Sequence, residues 1–363
     1  MSVEPTWPQV LRILVAGDPL PHGLAAWAMQ QMLAGEATDA QIAGFVIALR
    51  AKGETPAEVA SLVETMALHA NTFTTSKPTI DIVGTGGDQA NTVNISTMTS
   101  LVVAACGIPV AKHGNRAASS QTGTADVLEE LGVVIELSPE QVRECVEQAG
   151  IGFAFAPRHH PAMRHVAQVR RELGVPTVFN ILGPLSNPAG AAAMLLGVAD
   201  ALRAPVIAQV LADRGVKALV VRGDDGLDEL STTTTSTVWD VTRGAVERST
   251  FDPRNLGMHP VDSALLVGGD RVRNAHLLRQ VIGALPVGDG ETTRIEAIRD
   301  VICLNAAAAL VAYGAIDSEQ SDNDLHDRVA EQLPRARTAL DSGQAARVLA
   351  RWISTSERLA QLA

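Results

Sequence analysis

From Ile80 onward, short runs of β-branched and aliphatic residues alternate with longer amphipathic stretches, and this alternation restricts the fold more than any other feature. "IPVAKHG", "IGFAFAP", "AAMLLGV" and "KALVVRG" have the length and composition of buried strands. Between them, "STMTSLVVAACG" and "SPEQVRECVEQAG" read as helices, the second opened by Ser138, Pro139 and Gln141 and closed by Gly150. Strand–helix–strand units of this kind predict a largely parallel sheet covered on both faces. "TTSTVWDVTRGAVERSTF" reads as a hairpin turning near Gly244, and helices return over Arg294 to Tyr313 and Gln344 to Trp352.

The first 75 residues read instead as a helical block whose stops are glycines: Gly17, Gly35 and Gly53. Thr38 with Gln41, and Thr55 with Pro56 and Glu58, have the spacing of reciprocal helix caps. Trp7, Leu11, Leu14, Trp27 and Met32 are expected to pack helices or a subunit interface. The change in composition predicts a helical N-terminal domain over residues 1–75 and an α/β domain over 76–363. A chain of 363 residues that is 46% hydrophobic can bury cores of that size. Its formal charge of −11 disfavours a nucleic acid or anionic membrane as general partner, so any anionic ligand must be held locally. Cys106, Cys145 and Cys303 show no metal-ligand spacing and are expected to be reduced, buried thiols, which points to the cytoplasm. The N-terminus does not read as a signal peptide, and no apolar run is long enough to span a membrane.

Four stretches carry candidate chemistry. In "DIVGTGGDQANTVNIST", the strand ending at Val83 gives way to Gly84, Gly86 and Gly87, which let backbone amides approach a ligand closely. Asp88, Asn91, Thr92, Asn94, Ser96 and Thr97 follow at a helix start, where free N–H groups attract anions. It has neither the Lys of a P-loop nor a dinucleotide fingerprint. "KHGNRAASSQTGTAD" follows the next strand and offers Lys112, Arg116, Ser119, Ser120 and Thr124, with Gly114 and Gly123 for close approach. Two such loops on successive strand ends make a phosphate pocket.

"FAPRHHPAMRHVAQVRR" is rich in arginine and histidine and free of acid, a candidate for binding a carboxylate through a planar guanidinium. With a helix starting near Pro161, Arg164 and Arg171 share a face and Arg170 is turned from it. His159, His160 and His165 lack a zinc spacing, and at least two are expected to be solvated or to cap a helix. Finally, "GDDGLDELSTTTTST" places Asp228 and Glu229 side by side in a loop between strands, hard oxygen donors suited to Mg²⁺ shared with substrate phosphates.

Together these stretches resemble the anthranilate phosphoribosyltransferase family through GTGGD, the N-x-S-T segment, KHGNRAASS, HPAMRH with an Arg downstream, and GLDELS. The resemblance runs from the helical start through "LNAAAALV" to "SGQAARVLARW". It implies a small N-terminal helical domain plus a larger α/β domain with a central, largely parallel sheet, the fold shared with nucleoside phosphorylases, and a homodimer. It also implies transfer of a phosphoribosyl group from phosphoribosyl pyrophosphate to the amine of anthranilate, with Mg²⁺, in tryptophan biosynthesis. By motif match, Gly84, Gly87, Asp88, Thr92, Asn94, Ile95, Ser96, Thr97, Lys112, His113, Gly114, Asn115, Arg116, Ala117, Ala118, Ser119, Ser120 and Thr124 would contact the phosphoribosyl donor. Asn115 and Arg170 would hold anthranilate, with Gly84 and His113 lining its site; Ser96, Asp228 and Glu229 would serve Mg²⁺, and Lys112 with the acidic pair would be catalytic.

Two departures stand out: Thr124 where a Ser is expected, and "STTTTST" after the acidic pair. The rival readings are a pyrimidine nucleoside phosphorylase, disfavoured by the intact N-x-S-T segment and acidic pair, and a non-catalytic nucleic-acid-binding relative, disfavoured by the net charge.

Overall fold

The computed structural model describes residues 4–117, 121–317 and 323–362. Ala118, Ser119 and Ser120, named above as donor contacts, lie outside them. Four helices open the chain: α1 (Trp7–Val15), α2 (His22–Ala34), α3 (Asp39–Lys52) and α4 (Pro56–Leu68). The hydroxyls of Thr38 and Thr55 accept the N–H of Gln41 and Glu58, whose side chains accept the threonine N–H in return. Each cap satisfies two amides that a helix start would leave free.

Seven strands form one sheet: β1 (Ile80–Gly84), β2 (Val110–Gly114), β3 (Ile151–Phe155), β4 (Ala193–Gly197), β5 (Lys217–Gly223), β6 (Ser236–Asp240) and β7 (Glu247–Phe251). Their order is β3-β2-β1-β4-β5-β6-β7; the first five are parallel, and β6 and β7 add an antiparallel hairpin through Gly244. Helix α5 (Ile95–Ala105) links β1 to β2, and α6 (Thr124–Leu131) with α7 (Pro139–Ala149) links β2 to β3. Then α8 (Ala156–His159), α9 (Arg164–Leu173) and α10 (Phe179–Leu185) lead to β4, and α11 (Ala204–Asp213) to β5. After β7 come α12 (Arg271–Val281), α13 (Thr292–Gly314), α14 (Leu325–Asp341) and α15 (Gln344–Ala360). The helix expected from Pro161 begins as a single 3₁₀ turn and becomes α-helical only at Arg164; the last helix continues well past Trp352.

The sheet's two faces bury two cores by simple alternation: Leu195 and Leu219 face α5 and α13–α15, whereas Met194, Leu196 and Val220 face α9–α11 and the N-terminal helices. The N-terminal helices thus share one core with the sheet. A buried ion pair reinforces that contact, with Arg203 Nη2 donating to both Glu54 oxygens at 3.0 and 2.7 Å. Cys145 and Cys303 are buried and Cys106 is partly exposed at the end of α5; all three are free thiols. Among the described residues, no helix is long and apolar enough to cross a membrane.

The chain runs from β1 outward to β3, then returns to β4 on the other side of β1. That reversal opens a crevice at the carboxyl ends of β1 and β4, the place where open α/β sheets bind ligands.

Candidate active site

Both strands at the crevice end in glycine, and the structure shows why. The loop between β5 and β6 folds back so that a Cβ on Gly197 would lie 1.5 Å from the Asp228 carbonyl oxygen, and one on Gly84 2.2 Å from its carboxylate. Neither position has a left-handed backbone; closeness alone excludes a side chain. The Gly86 N–H donates to Asp228 Oδ2 at 2.7 Å, tying the glycine-rich loop to the acidic one.

Within the glycine-rich loop, Gly86, Gly87, Gln89 and Asn91 all have positive φ, of 68°, 85°, 59° and 50°. For the two non-glycines this costs about 1–3 kcal/mol each and persists only where neighbours hold the chain. They do so here: Gly268 donates to the Asn91 carbonyl at 2.8 Å, Val93 donates to Leu266 at 2.9 Å, and Thr92 bridges Val267. Segments of changing hand turn successive amides to one side, the backbone form from which anion-binding concavities are built. Asn94 is held by Thr122 and Asn274, its amide donating at 3.2 Å and its oxygen accepting at 2.9 Å. Ile95, buried, starts α5, so Ser96 and Thr97 fall in the first turn. The Thr97 and Thr124 hydroxyls meet at 3.5 Å, and the Cβ of Thr124 lies close to Gly114.

Lys112, 1% exposed, donates to the Ile82 carbonyl and to Ser96 Oγ, the latter at 3.2 Å. Burial lowers its pKa, against the opposing pull of Asp81, Glu229 and Asp228. The acids respond in the opposite sense. Burial, then repulsion from Asp88, pushes Asp228 up to about 7; burial and the Asp228 charge hold Glu229 well above the ordinary carboxylate range. Adjacent carboxylates displaced in this way are short of positive charge, and a hard divalent cation fits them. Among the described residues no group of three or more His, Cys, Asp or Glu is gathered so as to hold a metal ion.

Below the crevice, Asp81 is fully buried; its carboxylate accepts the His113 N–H at 3.2 Å and Asn187 Nδ2 at 2.7 Å, and burial raises it to about 6. His113 contacts the Gly183 carbonyl through Nδ1 at 3.0 Å, which requires the proton on Nδ1 and leaves Nε2 a bare, buried acceptor. Burial and the neighbouring His160 lower it to about 3. His159 and His160 correct the expectation of solvated or capping rings. Both are buried, and each pairs through one ring nitrogen with a backbone carbonyl, of Asn71 at 2.7 Å and Ser186 at 3.0 Å. Burial disfavours their charged forms, and the carbonyls suit neutral rings.

Of the basic stretch, Arg164 and Arg171 face solvent, whereas Arg170 turns inward with its guanidinium over the Phe179 ring at 5.5 Å. Among the described residues the Arg170 guanidinium has no hydrogen-bond or ion-pair partner. Arg116 is placed elsewhere: it pairs with Glu129 at 2.5 and 2.9 Å and Asp126 at 3.2 Å, over Phe155, because those two acids share the face of α6 that it reaches. Asn115 accepts the Arg116 N–H at 2.7 Å, and Ala117 donates to Asp126 at 3.2 Å. Sequence reasoning passed over Gly197, Asp81, Asn187 and Asn274; only Gly197, ending an apolar run as Gly84 does, carried a local signal.

The architecture has close counterparts. Residues 76–346 match the glycosyl transferase family a/b domain, and residues 8–70 its helical bundle domain. An anthranilate phosphoribosyltransferase of Mycolicibacterium smegmatis is 51% identical over 98% of this chain and 95% of its own length. One of Streptomyces griseus is 52% identical over 97% of this chain and 95% of its own. The chain belongs to the anthranilate phosphoribosyltransferase family. Among solved structures of that family, the Thermus thermophilus enzyme superposes with a TM-score of 0.85 at 39% identity, covering 96% of this chain and 99% of that one. The Saccharomyces cerevisiae enzyme in complex with PRPP and Mg superposes with a TM-score of 0.82 at 26% identity, covering 98% and 99%.

Proposed function

We infer that the protein transfers the phosphoribosyl group of phosphoribosyl pyrophosphate to the amine of anthranilate, releasing pyrophosphate, in tryptophan biosynthesis. The observation that carries this is Asp228, of the acidic pair, pressed onto the strand-end glycines and accepting the Gly86 N–H of the loop after β1, in a chain about half identical to named relatives over nearly its whole length. Asp228, Glu229 and Ser96 would hold Mg²⁺, which when bound neutralises charge on the departing pyrophosphate. Lys112, fixed by Ser96 and the Ile82 carbonyl, adds a buried positive charge at the same place. The glycine-rich loop, with Gly87, Asp88, Thr92 and Asn94, would cradle donor oxygens, and Asn115 with Thr124 would line the same site.

Arg170 receives the anthranilate carboxylate, the role its unpaired guanidinium suits. His113, held neutral by burial, would line the anthranilate site together with Gly84. An aromatic amine is already neutral at pH 7, so positioning and electrostatics are the main catalytic contributions, and no covalent enzyme intermediate is needed. We read the helical domain, residues 1–75, as a homodimer interface, supported by Val15 and Leu68, which are 79% and 85% exposed on it. The reduced thiols support a cytoplasmic location. Light scattering on the purified chain tests the dimer.

The test of the reaction is loss of anthranilate fluorescence on adding protein, phosphoribosyl pyrophosphate and Mg²⁺, with chelator and no-donor controls. Loss that needs both donor and Mg²⁺ is expected and is to be abolished in Asp228→Asn/Glu229→Gln. Folded protein that leaves the signal unchanged overturns the assignment of the acceptor.

A further inference from the structure

Helix α13 is apolar through its middle, with Ile302, Cys303, Leu304 and Ala306 to Ala309 all buried. In that run Asn305 is fully buried. A polar side chain there is costly unless every group finds a partner. Asn305 finds two of its three outside its helix: Oδ1 accepts the Leu230 N–H at 3.0 Å and Nδ2 donates to the Leu230 carbonyl at 2.9 Å, while the second amide hydrogen goes to the Val301 carbonyl of the preceding turn at 2.8 Å. The side-chain amide therefore pairs with both backbone groups of one residue, as a neighbouring strand would.

Leu230 immediately follows Glu229, and its N–H belongs to the peptide that joins them. We propose that Asn305 is a positioning residue for the acidic pair: it fixes the Glu229–Leu230 peptide from behind while Gly197 and Gly84 leave room for Asp228 in front. Asp225 completes the brace, its carboxylate accepting the Leu227 N–H at 3.2 Å and the Ser231 hydroxyl at 2.6 Å, as well as Thr233. The unusual threonine-rich stretch is thereby tied down by the acids that precede it. One bond holds the Glu229–Leu230 peptide through its N–H and the other holds the Leu230–Ser231 peptide through its carbonyl, so Leu230 is pinned on both sides, which an apolar side chain of the same size cannot do. The inference rests on the reading of Asp228 and Glu229 as cation ligands.

The experiment measures Mn²⁺ binding by electron paramagnetic resonance, with phosphoribosyl pyrophosphate present, for wild type, Asp228→Asn/Glu229→Gln, Asn305→Leu and Asn305→Asp. The aspartate variant keeps an acceptor for the Leu230 N–H but has no N–H for its carbonyl, and it serves should the leucine variant not fold. Leu310→Ala, a cavity in the same helix, controls for lost stability. Both Asn305 variants are expected to weaken Mn²⁺ binding about 10- to 100-fold, the usual effect of removing a group that orients a ligand, with KM for anthranilate unchanged. Leu310→Ala is expected to melt earlier yet bind Mn²⁺ as wild type does. Wild-type Mn²⁺ affinity in a folded Asn305 variant overturns the inference alone. Failure of wild type to bind Mn²⁺ through Asp228 and Glu229 overturns the reading beneath it as well.

Discussion

Replacing Gly197 with alanine tests whether the crevice works by close approach. The added Cβ would lie 1.5 Å from the Asp228 carbonyl oxygen, 2.3 Å from its carbon and 3.2 Å from its Cα. Unstrained contacts begin at about 3.5 Å, so the acidic loop must retreat by about 2 Å. Gly197 has no left-handed backbone, so the contact alone supplies the perturbation. Misplacement of a catalytic group by about 1 Å can cost about 10²-fold. Gly197→Ala is therefore expected to lower kcat/KM by at least about 10²-fold, or about 2.7 kcal/mol of transition-state stabilisation. The folded state should lose only about 1–3 kcal/mol from overpacking.

Initial rates from anthranilate fluorescence, measured beside a melting curve, separate the two effects. Gly23→Ala, at a helical glycine with nothing within 4 Å of the added Cβ, is the control and should keep wild-type rates. A folded Gly197→Ala variant within threefold of wild-type kcat/KM would refute the reasoning, because the acidic loop could then move without consequence.

Arg170→Ala should raise KM for anthranilate about 10- to 100-fold, from the loss of a charge-assisted pair worth about 1.5–3 kcal/mol, and leave KM for the donor unchanged in the same steady-state assay. His113 falls from 6.5 to about 3 on folding, so the stability it gives is present above pH 6.5 and lost as pH falls toward 3. His113→Gln should accordingly shift the midpoint of acid unfolding to lower pH, read by circular dichroism. Asp81 has the opposite sign: its folded value is raised from 3.8 to about 6, so its contribution is full below pH 3.8 and disappears as pH rises through 6. That gap corresponds to about 3 kcal/mol, and the stability of Asp81→Asn relative to wild type should climb by about that amount between about pH 3 and pH 7 in denaturant titrations.

Features confined to one stretch of chain were legible in advance. Thr38 and Gln41 form a cap because they lie three residues apart, and the parallel strands follow from their own composition and the helices between them. Asp228 and Glu229 could be singled out because their adjacency is itself the unusual feature. What required two segments was not legible. Nothing near Gly197 says that a carbonyl from the next loop will rest on it, and nothing near Arg116 distinguishes a phosphate from the carboxylates of Asp126 and Glu129 on the following helix. The histidines make the physical reason plain. A basic, acid-free run suggests solvated, chargeable rings, yet His159 and His160 are sealed from water and each pairs with a carbonyl, of Asn71 and Ser186, contributed by distant segments. Desolvation depends on what the whole fold brings together, and so the charge of these rings is a property of the tertiary structure.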